Sequence, residues 1–163
     1  MDGVSERYSE EYAAAHGRFA VIPAVYVLLR RGDEVLLQLR SDTGYYDAHW
    51  AAGAAGHVDR GESLLQAAVR EAAEELGVRI SVDDLEFLTL EHRTGDGAAI
   101  DERIDVFFGS RSWEGTPALQ EDKASDLRWF PLTALPDPLV PHEREVLVRW
   151  AADALEPILP IGF

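Results

Sequence analysis

"GHVDRGESLLQAAVREAAEELGV", residues 56–78, is the stretch on which the fold turns. It starts at Gly56, passes Gly61 and enters a helical pattern. Ser63 and Gln66 have the spacing of a capping box, and Gly77 is a good stop, so a helix is expected over residues 63–76. Leu65, Ala68, Ala72 and Leu76 recur at spacings of three and four and predict the buried stripe. Glu71, Glu74 and Glu75 follow Arg70 and fall close together near one face. Like charges at these spacings cost an isolated helix a few tenths of a kcal/mol, roughly, per pair. Arg70 and Arg79 offset only part of that. A solvated acidic face is the plain explanation. The competing one is a hard divalent cation, Mg²⁺ or Mn²⁺, which prefers carboxylate oxygen and bridges protein carboxylates to phosphate.

Outward from the helix, the flanks alternate between strands and turns. Residues 51–56, "AAGAAG", are all small, so the backbone there can approach a neighbour closely. The β-branched run 20–30 and the run 35–40 read as a hairpin around the turn 31–34. Residues 41–50 read as a polar, aromatic loop. Further strands are expected at 85–93, 103–110 and 126–132, and an amphipathic helix at 142–155 with Val146, Leu147, Trp150 and Ala154 on one face. Together these predict an α/β/α sandwich with a mixed central β-sheet. Residues 19–163 read as one domain. Residues 1–18 read as an extension with some helical character.

Composition narrows the function. The chain has 163 residues, 47% of them apolar, enough for one sizeable core. Lys and Arg total 15 against 30 Asp and Glu, a formal charge of −15. Such a surface argues against nucleic acid polymers and anionic membranes as partners. It would also repel an anionic substrate unless a cation intervened. No cysteine is present, which excludes disulfides and thiolate metal sites. No run approaches the ~18 apolar residues of a membrane span. The polar, acidic start has no signal-peptide pattern, so a soluble cytoplasmic protein is the expectation.

The spacing of the opening stretch favours the metal. Gly56, five residues, Glu62, seven residues, Arg70-Glu71, two residues, Glu74-Glu75, one residue, Gly77 and apolar Val78 together resemble the Nudix box at every specified position. "TGYYDAHW" (43–50), "ERIDVFF" (102–108), "WEGTP" (113–117) and "SDLRWFPLTALP" (125–136) are similar to a bacterial branch of that family, so the resemblance spans about residues 19–141. It departs at "AAGAAG", where many members carry a Leu-Pro-Gly-type segment. The resemblance implies Mg²⁺- or Mn²⁺-dependent hydrolysis of a nucleoside diphosphate linked to another group. It implies metal ligation by Glu71, Glu74, Glu75 and the Gly56 carbonyl, and a structural pair of Glu62 with Arg70. Gly61 and Gly77 would serve backbone shape. The general base stays open among Glu71, Glu74, Glu75 and Glu121. Glu121 lies where relatives carry an extra ligand or base, with Asp122 a weaker alternative and an exposed loop residue the plain one. A homodimer is compatible with the family.

The substrate pocket is read from scattered residues. Tyr45 and Tyr46 could stack a base or pack the core; Trp50, Trp113 and Trp129 are expected to pack. His49 and His57 could contact phosphate, and Arg40 and Arg93, at strand ends, are candidate phosphate cations. His142 reads as a helix-terminal residue, although some relatives recognise the base there. Residues 79–116 contain neither proline nor tyrosine, which removes two subfamily signatures, for ADP-ribose and for diadenosine polyphosphates. The NADH-enzyme and coenzyme A signatures are also missing. A nucleoside triphosphate pyrophosphohydrolase remains, with ADP-ribose or a sugar nucleotide as runner-up. A non-catalytic nucleotide sensor would predict damaged box glutamates, and all are intact. An acidic interaction domain without metal would leave the spacing unexplained.

Overall fold

The computed structural model describes residues 9–95, 97 and 101–163. Among the described residues three α-helices, α1 (Glu10–Ala15), α2 (Leu64–Leu76) and α3 (Pro141–Ala151), accompany eight strands. The strands are β1 (Ile22–Arg31), β2 (Glu34–Arg40), β3 (Trp50–Ala52), β4 (Ala54–His57), β5 (Glu86–Arg93), β6 (Arg103–Ser110), β7 (Ala124–Pro131) and β8 (Ile158–Ile161). The sheet runs β3-β2-β1-β6-β5-β8, with β4 also paired to β1 and β7 to β2. It is mixed: β1 is parallel to β6 and β5 to β8, and the other pairs are antiparallel.

β1 is the centre of the sandwich. Its residues 24–29 are buried on both faces, which is why its apolar run is continuous rather than alternating. Val25, Val27 and Leu29 pack toward the alanines of α2; Tyr26 and Leu28 pack with Phe107 and with Val146 and Leu147 of α3. One helix therefore covers each face.

α2 begins at the Ser63 capping box and ends at Gly77, which takes the left-handed φ of 69°. Its orientation differs from the expected stripe. Ala68, Ala72 and Leu76 of that stripe are buried, but Leu65 is 39% exposed, and burial extends instead to Ala67, Glu71 and Glu75. The small side chains at 67, 68 and 72 let the helix approach β4 and β1, and that approach turns two glutamates inward. "AAGAAG" forms most of β3 and β4, with a bend at Gly53 between them. The close approach is real: a Cβ on Gly53 would lie 3.2 Å from Leu76 Cδ1 and 3.3 Å from Leu36 O.

The last helix is shorter than its pattern. It stops at Ala151, Asp153 takes a left-handed φ of 52°, and Ala154 is exposed. β8 was not apparent in the sequence. It is four residues long, contains Pro160 and is held at the sheet edge, where a missing N–H is tolerated. In the N-terminal extension α1 is capped by Ser9 and has no buried residue; the remaining helical expectation, on residues 1–8, lies outside the described residues. Among the described residues no helix is long and apolar enough to cross a membrane.

Candidate active site

The antiparallel pairing of β4 with β1 brings Gly56 over the inward face of α2. Glu71 and Glu75 are each 8% exposed, and Glu74 sits on the solvent edge. Glu71 Oε1 accepts from Arg70 Nη1 at 2.7 Å, and burial raises its pKa against that pairing. Glu75 Oε2 accepts from the Ala55 N–H at 3.2 Å and from Gln38 Nε2 at 3.4 Å. Burial pushes the Glu75 carboxyl up to about 7; the Ala55 bond opposes this, and Glu71 and Glu121 add to it. Two buried carboxylates on adjacent turns of one helix carry a desolvation cost that a cation would relieve.

Arg70 organises the loop before the helix. Its Nε and Nη2 donate to the two oxygens of Glu62, at 2.7 and 2.9 Å, and Nη2 also reaches the His57 carbonyl at 3.1 Å. Glu62 further accepts from the Asp59 N–H, and the Arg70 bonds hold its carboxyl down at about 2. Gly61 supports the same loop with a φ of 84°.

Glu121 comes from the loop before β7. Its Oε2 is 2.8 Å from Lys123 Nζ, and its charge acts on Glu75. Lys123 bears on Glu71 and Glu75 as well. It is a cation beside the carboxylate group that the sequence reading passed over. Asp122 is exposed.

A cavity of about 380 Å³ extends from Gly56 and His57 down to Tyr26, Asp105 and His142. Of the expected substrate contacts, Arg40, Tyr45, His57 and Arg93 line it, while Tyr46 and His49 lie outside its lining. Arg40 is held by the Tyr45 carbonyl (2.8 Å) and Thr43 Oγ1 (2.9 Å). Tyr46 makes edge contacts with Tyr45 and His49, at ring-centre distances of 4.7 and 5.2 Å. Trp50 is buried in the core against Phe130. Trp113 and Trp129 stack at 6.0 Å, with Arg31 over Trp129 at 4.2 Å.

The cavity floor is a buried charge cluster in which Arg93 and His142 meet two carboxylates that the sequence did not single out, Glu91 and Asp105. Glu91 and Asp105 face each other across β5 and β6, both fully buried. Arg93 Nε donates to Asp105 Oδ2 at 2.5 Å and lies 3.7 Å from Glu91 Oε1. His142 is a floor residue rather than a mere helix terminus: Nδ1 is 2.7 Å from Glu91 Oε1, and the ring meets Tyr26 edge-on. Glu143 beside it accepts from the Ala52 N–H at 2.8 Å, and burial raises its pKa. One signal was available. A charged residue within an apolar strand, such as Asp105 in "RIDVFF", has to find a partner if it faces inward.

Ligand atoms of Glu91, Asp105 and His142 lie within 4.8 Å of one another, a spacing that can hold an ion. Here the Arg93 guanidinium already stands as the cation between the two carboxylates. The α2 carboxylates fit a metal better. Glu71 packs against the bare Cα of Gly56, so a Cβ there would fall 2.0 Å from Oε1. Glu71 and Glu75 offer carboxylate oxygen alone, the donor type suited to Mg²⁺ or Mn²⁺.

The NUDIX domain profile matches residues 21–150. The chain is 32% identical over 145 residues to the NAD-capped RNA hydrolase NudC of Pseudomonas aeruginosa, covering 85% of this chain and 48% of that protein. It is 30% identical over 131 residues to an isopentenyl-diphosphate Delta-isomerase of Jannaschia sp., covering 77% of this chain and 72% of that one. The chain thus spans about half the length of the first of these relatives. Among solved structures, a MutT NUDIX hydrolase from Burkholderia pseudomallei superposes with a TM-score of 0.71 at 25% identity, over 80% of this chain and 98% of that one.

Proposed function

The chain belongs to the NUDIX family, and from that premise we propose that it hydrolyses a diphosphate bond in a nucleoside diphosphate linked to another group. Nucleoside triphosphate is the preferred substrate, giving nucleoside monophosphate and pyrophosphate. The observation that carries this reading is the pair of buried carboxylates, Glu71 and Glu75, of which Glu71 packs against Gly56, a residue that also lines a cavity of about 380 Å³. NAD and isopentenyl diphosphate, named for the two relatives, share the diphosphate group, so a diphosphate at this end of the cavity agrees with both.

In this proposal Glu71, Glu74, Glu75 and the Gly56 carbonyl hold Mg²⁺ or Mn²⁺, with Glu121 as a further ligand or the base. The metal, when bound, supplies charge neutralisation at the phosphoryl oxygens and a more acidic water. The chain does the rest. Arg70 fixes the Gly56–Glu62 loop through both oxygens of Glu62, so the carboxylates keep one geometry. A water oxygen bonds to phosphorus, the anhydride P–O bond breaks, pyrophosphate leaves, and the water's proton passes to a carboxylate of the set. Lys123 stands near enough to attract the substrate's charge to an otherwise acidic surface.

ADP-ribose or a sugar nucleotide is the second reading, since it needs the same metal end and a cavity for a nucleoside. The test is release of phosphate and pyrophosphate from ordinary and oxidised nucleoside triphosphates, ADP-ribose and sugar nucleotides. Each is run with Mg²⁺, with Mn²⁺ and with chelator, for wild type and Glu75→Gln. Metal-dependent triphosphate turnover that the substitution abolishes is the expected result. Turnover of ADP-ribose alone promotes the second reading, and nucleotide binding without turnover overturns both.

A further inference from the structure

The floor of the cavity has more acceptors than donors. Asp105 is fully buried; its Oδ2 takes the Arg93 bond and its Oδ1 has no hydrogen-bond partner. Glu91, opposite it, is equally buried, with Oε1 taken by His142 and Oε2 unpartnered. Leaving a buried acceptor unsatisfied costs about 1–3 kcal/mol, and more when it is charged. Asp105, unlike Glu91, is among the residues that bound the cavity.

A metal ion is a poor answer at this point. Arg93 lies within 2.5 Å of Asp105 and 3.7 Å of Glu91, and its fixed charge opposes a second cation. A neutral N–H donor suits the position better, because it satisfies the oxygen without adding charge. The walls say what should carry it. Tyr26 lies flat on Phe107, with ring centres 4.4 Å apart and 13° between planes, and His142 stands edge-on to Tyr26. Such walls favour a flat ring. Glu143 also lines the cavity, and only its Oε2 is committed, to Ala52.

We infer that Asp105 is a specificity-determining residue, whose Oδ1 accepts a ring N–H of the substrate's base and so selects a guanine-type edge, an amide N–H beside an exocyclic amine. This rests on the proposed function for the placement of the diphosphate at the Gly56 end. Adenine would set a ring nitrogen lone pair against the carboxylate, and uracil would flank its one N–H with carbonyl oxygens. Hypoxanthine keeps the amide N–H and lacks the amine, so it should fall between guanine and adenine. Sites built around a buried polar group reject analogues that leave it unpaired.

The test is calorimetric binding of GDP, IDP, ADP and UDP to the whole protein, with wild type compared with Asp105→Asn. The expected order for wild type is GDP, then IDP, then ADP and UDP, with at least about a tenfold gap from GDP to ADP, equivalent to ~1.4 kcal/mol. In Asp105→Asn the side-chain amide turns a donor toward the ring, and the GDP-to-ADP ratio should fall by at least about tenfold. A purely structural role would weaken all four nucleotides alike and leave the ratio unmoved. Equal wild-type affinities overturn the inference, as does no binding of any nucleotide; neither result depends on how the variant folds. The readout is binding, so absence of pyrophosphate release would sink the hydrolase reading and leave the base preference standing.

Discussion

A methyl group on Gly56 would stand 2.0 Å from Glu71 Oε1 and 2.2 Å from its carboxyl carbon. Glycine is required here for space, not for backbone conformation. Gly56→Ala must push Glu71 off its position or part β4 from α2. Overpacking of this kind costs about 1–3 kcal/mol. Thermal unfolding should show the lowered stability, and turnover should fall by more than stability alone explains, because a displaced Glu71 leaves the carboxylate set incomplete.

Arg70 touches Glu62, Glu71, Glu74 and the His57 carbonyl at once. Lysine keeps the charge but offers one point in place of a fork. Arg70→Lys should therefore behave like Arg70→Ala in turnover, with at least about a tenfold loss where positioning is the role. Full activity in Arg70→Lys would show that charge alone suffices.

Glu62 carries a pH signature. Its folded pKa of about 2 lies below the ordinary carboxylate value of 4.5, so its contribution to stability is present above pH 4.5 and is lost as the pH falls toward 2. Glu62→Gln should flatten that acid limb in urea denaturation between pH 4.5 and 2 and leave the slope near neutrality unchanged.

Glu75 has the opposite sign. Its folded pKa of about 7 lies above 4.5, so relative stability is fully present below pH 4.5 and is lost as the pH rises through 7. With chelator present, Glu75→Gln should raise the melting temperature at pH 8, by up to about 3 kcal/mol in free energy, and change little at pH 4. Added Mn²⁺ should stabilise wild type at pH 8 and have less effect on the variant. A variant no more stable than wild type at pH 8 would mean that burial of this carboxylate is not costly.

Glu143 and Ala52 meet across 91 residues of chain, carboxylate to backbone N–H, at 2.8 Å. Glu143→Ala strands that buried N–H and should cost about 1–3 kcal/mol in denaturant titration. Glu143→Gln retains an acceptor oxygen and should recover most of the loss.

The sequence by itself determined the parts that rest on short-range interactions. Ser63, Gln66 and Gly77 bound α2 because a capping box and a left-handed stop act within one turn. The apolar runs located β1, β2, β5 and β6 because periodicity is a property of neighbours, and the spacing from Gly56 to Val78 identified the family. Tertiary structure decided the rest. Leu65 is exposed and Glu71 and Glu75 are inward because three alanines let α2 lie close on β4, a fact of packing rather than of helical periodicity. β8 forms because β5 offers it an edge; four residues including a proline announce nothing alone. Glu91, Arg93, Asp105 and His142 are brought together by strand register and by α3 crossing the sheet, with the histidine 51 residues beyond the Glu91 that holds it. In one dimension an acidic residue in a strand reads the same whether it faces solvent or core. Only the fold makes it buried, and only burial makes its unmet hydrogen bond a demand on the substrate.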